Sequence, residues 1–150
     1  MLMWEVDDAR HFLGQLRKLN RMINNKMVEK EQWLSIAMHT TAHSEGERVQ
    51  SSGSQEKMAD AVAKAVDMEA EIDRAIDHLI DTKEEIIKVI EQLEYDEYDF
   101  LHKVYVQDIA LKKVALMNGR SYSWATTMHK NALQKVQEIL NGRKGRRWNK

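Results

Sequence analysis

Tyr122, Ser123, Thr126, Thr127 and Lys130 lie within nine residues and carry four hydroxyls, one amine and no carboxylate. At 3.6 residues per turn they gather on one side of a helix. Ala125, Met128 and Ala132, spaced three then four, form an apolar stripe on the other side. Hydroxyls both donate and accept hydrogen bonds, and a face without anions does not repel phosphate. Such a face suits the base edges of a DNA major groove. Lys112, Lys113, Arg120, Lys135, Arg143, Lys144, Arg146 and Arg147 surround it in sequence. Their chemistry is that of point charges and planar forks for backbone phosphates.

Positioning that face requires a defined entry into the helix. Asn118-Gly119 is a turn pair that tolerates positive φ, and Ser121 is a good N-cap for the longer helix after it. Val114 and Ala115 supply an inward corner to the preceding short segment. The spacing predicts helices over 97–107, 109–117 and 121–141, the last two joined as a helix-turn-helix. Phe100, Leu101, Val104 and Tyr105 should face inward from the first, and the acidic run Glu94–Asp99 suits its first turn. Ala110 stands where Ser or Thr usually caps the middle helix, so Asp108 is the expected cap. Asn141-Gly142 predicts a helix stop, with a basic tail beyond it at 143–150.

Leu101-His102-Lys103, Tyr105-Val106-Gln107, Val114-Ala115, Gly119, Ser121, Ala125, His129 and Ala132-Leu133 together resemble region four of bacterial sigma factors. More narrowly, the chain resembles small phage-encoded, sigma-like late-gene activators of the RinA/ArpU kind, to which Arg48-Val49-Gln50-Ser51-Ser52 adds an upstream match. The likeness spans roughly the last two-thirds of the chain. It implies a transcription regulator of phage or prophage origin, working on double-stranded DNA in the cytoplasm of a bacterial host, with RNA polymerase as a candidate partner.

Charge partition points the same way. The net charge is −1, but residues 1–100 hold 12 Lys and Arg against 22 Asp and Glu, whereas residues 101–150 hold 11 against 2. Concentrated positive charge releases counterions where DNA lies, and here the basic excess coincides with the helix-turn-helix pattern.

With 150 residues, no proline and only six glycines, the chain is expected to be all-α. The absence of cysteine excludes disulfides and thiolate metal sites. No apolar run is long enough to span a membrane, and Met1–Asp8 lacks the pattern of a signal peptide. Residues 6–40, with Asp7 or Asp8 as cap, carry Phe12, Leu16, Leu19, Ile23, Met27 and Leu34 at threes and fours. Residues 55–93, capped by Ser54, carry Met58, Val62, Ala65, Ile72, Ile76, Leu79, Ile86, Ile90 and Leu93 in the same alternation. Two such stripes predict a coiled-coil-like antiparallel hairpin over 1–94 with a loop at 41–55, and after it a DNA-binding unit at 95–142. The hairpin is the candidate surface for RNA polymerase or for a homo-oligomer.

His39 and His43, four apart, could share a metal, but no third ligand is placed by any motif, and surface histidines are the expectation. No phosphate loop, dinucleotide fingerprint or nucleophile–His–acid arrangement occurs, so neither catalysis nor a cofactor is expected. The alternative to a DNA reader is a non-enzymatic helical interaction module, an adaptor or inhibitor, that keeps the helix-turn-helix fold and grips protein instead.

Overall fold

The structure, a computed structural model, describes the backbone of residues 3–44 and 52–148 and the side chains of residues 8–39 and 53–143. The fold is all-α. Helices α1 (Met3–Ser44), α2 (Ser52–Ile90), α3 (Tyr95–Leu101), α4 (Leu111–Met117) and α5 (Tyr122–Trp148) come in that order, with a π-helical turn, His102–Val106, continuing α3. No strand occurs among the described residues, and no described helix is long and apolar enough to cross a membrane.

Both long helices exceed the ranges predicted from the apolar stripes. Helix α1 starts at Met3, so Asp7 and Asp8 lie inside it rather than at its cap. Helix α2 starts at Ser52, which places Ser54 in the first turn. The connection is therefore shorter than the predicted loop of 41–55, and residues 45–51, including Arg48 and Gln50, lie outside the described residues.

Two compact units divide the chain: residues 19–79 form one, and residues 1–18 with 80–150 form the other. The division falls inside the long helices, whereas the stripes suggested a boundary near 94. A stripe of threes and fours runs on without change whether its partner is another long helix or a bundle of short ones, so the transition leaves no mark in the pattern.

In the 19–79 unit the two helix segments run antiparallel. Lys26 reaches Glu71 at 2.9 Å, Lys30 lies 3.8 Å from Glu69, and Lys64 sits 4.2 Å over the Trp33 ring. Each pair advances along one segment as it retreats along the other, which fixes the register. Bonded to Lys26, the Glu71 carboxyl is held below the usual carboxylate range. Part-exposed ion pairs of this kind select register more than they stabilise.

The buried seam of this unit is Ile23, Ala37, Ala61, Ala65 and Ile72. Four residues expected on it lie on the flank instead: Met27 is 51% exposed, Leu34 41%, Val62 43% and Ile76 38%. Alanines thus occupy three of the five buried seam positions, and the longer side chains lie beside them. In the other unit, by contrast, Ile86 and Ile90 are completely buried, as the stripe predicts. Ile86→Ala is therefore expected to cost about 2–5 kcal/mol and Ile76→Ala only about 1–2. Urea unfolding of the two variants measures both, and equal losses would contradict the burial difference.

The 1–18/80–150 unit has the larger core: Leu13, Leu16, Ile86, Val89, Ile90, Phe100, Leu101, Val104, Val114, Leu133 and Val136. Gln137, 1% exposed, accepts from the Ala9 backbone N–H through Oε1 at 2.9 Å and donates through Nε2 to Asn141 Oδ1 at 3.0 Å. That second bond and the approach of Arg143 to Glu85 at 3.6 Å flank the Asn141-Gly142 pair, through which the chain stays helical. Helix α5 therefore runs to Trp148, where a stop and a basic tail were predicted. Gly142 lowers helix propensity by about 1 kcal/mol relative to Ala, which tertiary contacts of this kind can offset.

Candidate nucleic-acid interface

Helices α4 and α5 meet through a turn whose geometry is set residue by residue. Gly119 adopts φ +62°, a conformation that costs an L-residue roughly 1–2 kcal/mol. Its N–H donates to Leu116 O at 3.1 Å, and the Arg120 N–H donates to Ala115 O at 2.9 Å. These two bonds define a Schellman motif, which satisfies carbonyls that the end of α4 would otherwise leave unpaired. Asn118 Nδ2 donates to Val114 O at 2.9 Å, so the residue closes the turn from within. Ser121 then caps α5: its Oγ accepts from the Trp124 N–H at 3.1 Å. No atom lies within 4 Å of the Cβ that an alanine at 119 would add. Gly119→Ala should thus cost about 1–2 kcal/mol through backbone strain alone. Denaturant titration of that variant tests this, and an unchanged midpoint would rule the strain out.

The start of α4 differs from expectation. Its N-cap is Ala110, extended and without a side-chain hydrogen bond. Asp108 does not cap it: the residue takes φ 55° and accepts from Arg17 Nε at 2.8 Å. Standing two residues before the N-cap, and claimed by a guanidinium of α1, its carboxylate is drawn away from the first turn of α4.

Helix α5 is anchored by Ala125, Ala132, Leu133 and Val136, all fully buried. Trp124, half-buried, meets Phe100 edge-on with ring centres 5.9 Å apart, and the Arg120 guanidinium lies 5.9 Å over the Trp124 ring. Tyr105 Oη is 2.6 Å from His129 Nε2, with the two rings stacked. Burial pushes the Tyr105 hydroxyl up, against the opposing pull of Arg10 and Arg17. Burial, and after it the charge of Arg10, lowers His129 to about 4. The imidazole is thus neutral in the folded state, and the unfolded chain takes up a proton below about 6.5. A depressed folded-state value means that this part of the stability is complete above pH 6.5 and is lost progressively as pH falls toward 4. Over that interval His129→Gln should lose less stability than the wild type, as measured by urea midpoints at several pH values. Parallel curves would show that His129 is not the titrating group.

Tyr122, Ser123, Thr126, Thr127 and Lys130 are all exposed, Tyr122 by 57%. Thr126 Oγ1 donates to Ser123 O at 2.9 Å, which commits its only hydrogen to the backbone. Lys112, Lys113 and Arg120 are also exposed. Lys135 is engaged elsewhere: its Nζ lies 2.6 Å from Glu97 Oε1, and this bond raises its pKa. Glu97, expected merely to complement the dipole of α3, has a side chain only 9% exposed. Arg143 faces Glu85, while the side chains of Lys144, Arg146 and Arg147 lie outside the described residues. The basic set thus separates into Lys112, Lys113 and Arg120 beside the turn and two cations held in intramolecular pairs.

Lys135→Ala should lower the melting temperature, since it strands the largely buried Glu97 carboxylate. Thermal unfolding checks this, with Glu97→Gln/Lys135→Ala expected to recover part of the loss.

Leu116 and Met117, 72% and 53% exposed, were not foreseen as surface residues. The inward corner Val114-Ala115 already contained the signal, because the next two positions of a helix turn away from it. The Arg17–Asp108 and Tyr105–His129 pairs join residues far apart in sequence and had no local signature.

No three described His, Cys, Asp or Glu side chains gather in a metal-binding cluster. His39 is exposed, and the His43 side chain lies outside the described residues. Compared with protein families, with curated proteins and with solved structures, the chain matches none.

Proposed function

We propose that α4, its turn and α5 form a helix-turn-helix that binds double-stranded DNA with sequence preference, and that the protein is a transcription regulator resembling the phage sigma-like activators. One observation carries the reading. A rigidly capped helix presents Tyr122, Ser123, Thr126, Thr127 and Lys130 to solvent, with Lys112, Lys113 and Arg120 exposed nearby. Hydrogen-bonding side chains at the start of such a helix are the groups that reach base edges, while flanking cations bind phosphate and fix register. Lys135, paired with Glu97, is assigned to stability instead.

RNA polymerase, or a second copy of the chain, would meet exposed apolar side chains of the 19–79 unit such as Met27 and Leu34. A second reading draws on Leu116 and Met117, whose exposure beside the turn suits a helical interaction module that grips protein. Selection of bound duplexes from a random pool at low salt, with sequencing of the retained pool, separates the two. Enrichment of a shared motif supports the regulator. Failure to retain any duplex overturns the DNA reading and leaves the interaction module.

A further inference from the structure

The five residues on the exposed side of α5 are unusual for a base reader in what they lack. Specific guanine contacts are made chiefly by Arg or Lys reaching O6 and N7 together, and adenine contacts by Asn or Gln reaching N6 and N7. None of Tyr122, Ser123, Thr126 and Thr127, the four residues nearest the helix start, can make such a fork. Lys130 stands eight residues after Tyr122, about 12 Å along the axis, and base contacts come mainly from the first turns of a recognition helix. Arg120 precedes the helix and lies over the Trp124 ring. What the early face does offer is apolar surface. The Tyr122 ring is exposed. Thr126 is exposed too, and because its hydroxyl hydrogen is committed to Ser123 O, it presents a methyl and an acceptor outward instead of a donor.

We propose that this face reads thymine: the methyl of Thr126 and the ring of Tyr122 pack against C5-methyl groups in the major groove, and the preferred duplex is rich in clustered thymines. The inference rests on the DNA reading above and adds to it the class of base pair recognised. The chemistry is specific, because thymine alone among the bases exposes a methyl group in that groove. A threonine whose donor is already satisfied gains little from purine N7 or O6, whereas burying a methyl against a methyl is favourable in any hydrated groove.

The test uses the full chain and a duplex recovered by selection, with affinity read by fluorescence anisotropy. Thymines within the recovered motif are replaced by deoxyuridine, which keeps the pairing and the O4 acceptor and removes only the C5-methyl. Affinity should fall about four-fold for each contacted methyl, the equivalent of one buried methylene. Thr126→Ser, which deletes the protein methyl and keeps the hydroxyl, should lose the thymine preference at one position of the motif, where single thymine and uracil duplexes then bind within about two-fold of each other, and keep it at the position packed under the Tyr122 ring. Thr126→Val should still prefer thymine. Equal affinity of the wild type for both duplexes overturns the inference and leaves DNA binding intact, as does a recovered motif made of G·C pairs. If the protein retains no duplex at all, the DNA reading fails and this inference falls with it. Because the uracil comparison is made with unaltered protein, a folding defect in either variant cannot mask the result.

Discussion

Phe100→Ala should destabilise the 1–18/80–150 unit by about 3–5 kcal/mol, the cost of a large buried cavity. Phe100 is 2% exposed and is the largest of the fully buried side chains. Its ring meets Trp124 edge-on at 5.9 Å and lies 6.4 Å from the His129 ring, so it ties α3 to two successive turns of α5. Edge-to-face pairs add about 0.5–1.5 kcal/mol beyond the area they bury, which places the expected loss in the upper part of the range. Typical domains have only about 5–15 kcal/mol of stability, so the variant should melt far below the wild type. Phe100→Leu, which restores most of the volume without the quadrupole, should recover the larger share. Thermal unfolding monitored by far-ultraviolet circular dichroism measures the series. A Phe100→Ala loss below about 1 kcal/mol would show that the α3–α5 contact is not packed as described.

Helix content was readable from composition, since a chain without proline and with stripes at threes and fours has few other options. The turn before α5 was readable almost atom by atom. Gly119 and Ser121 act through local geometry, and a positive φ or an N-cap needs nothing beyond neighbouring backbone. The same local reasoning failed at Asp108 and at Asn141-Gly142, for one physical reason. In each case a side chain distant in sequence, Arg17 or Glu85, makes a contact that no local pattern contains. Seam positions show a related limit. Periodicity locates the face of a helix but not how closely a neighbour approaches it, so Ile76 and Ile86 read alike and differ from 38% to 0% exposed. At the candidate interface, exposure of Tyr122, Ser123, Thr126, Thr127 and Lys130 could be inferred from their spacing. The pairing of Lys135 with Glu97, 38 residues away, could not be inferred from any local pattern.

On the proposed DNA reading, that pairing sharpens the expectation for how a duplex would be held. Lys112 and Lys113 lie on α4, exposed and beside the turn, where a helix crossing the backbone meets phosphate. Each phosphate neutralised contributes about 0.9 to the slope of log K against log salt. Removing both lysines should therefore flatten the slope by about 1.8 and weaken binding about 60-fold at 0.1 M salt, on selected and random duplexes alike. Lys135→Ala removes the same charge from the sequence, but that charge is spent on Glu97, so its slope should stay near the wild-type value even as stability falls. Thr127→Ala should behave in a third way, costing about 1–3 kcal/mol on the preferred site, much less on random DNA, and leaving the slope nearly intact. The measurement is a salt titration of each folded variant against both duplexes. Should Lys135→Ala flatten the slope as much as Lys112→Ala, the Glu97 pair does not hold in solution and Lys135 returns to the phosphate-binding set. Should the double lysine variant keep the wild-type slope, α4 does not lie on the backbone, and the orientation proposed for α5 in the groove is wrong.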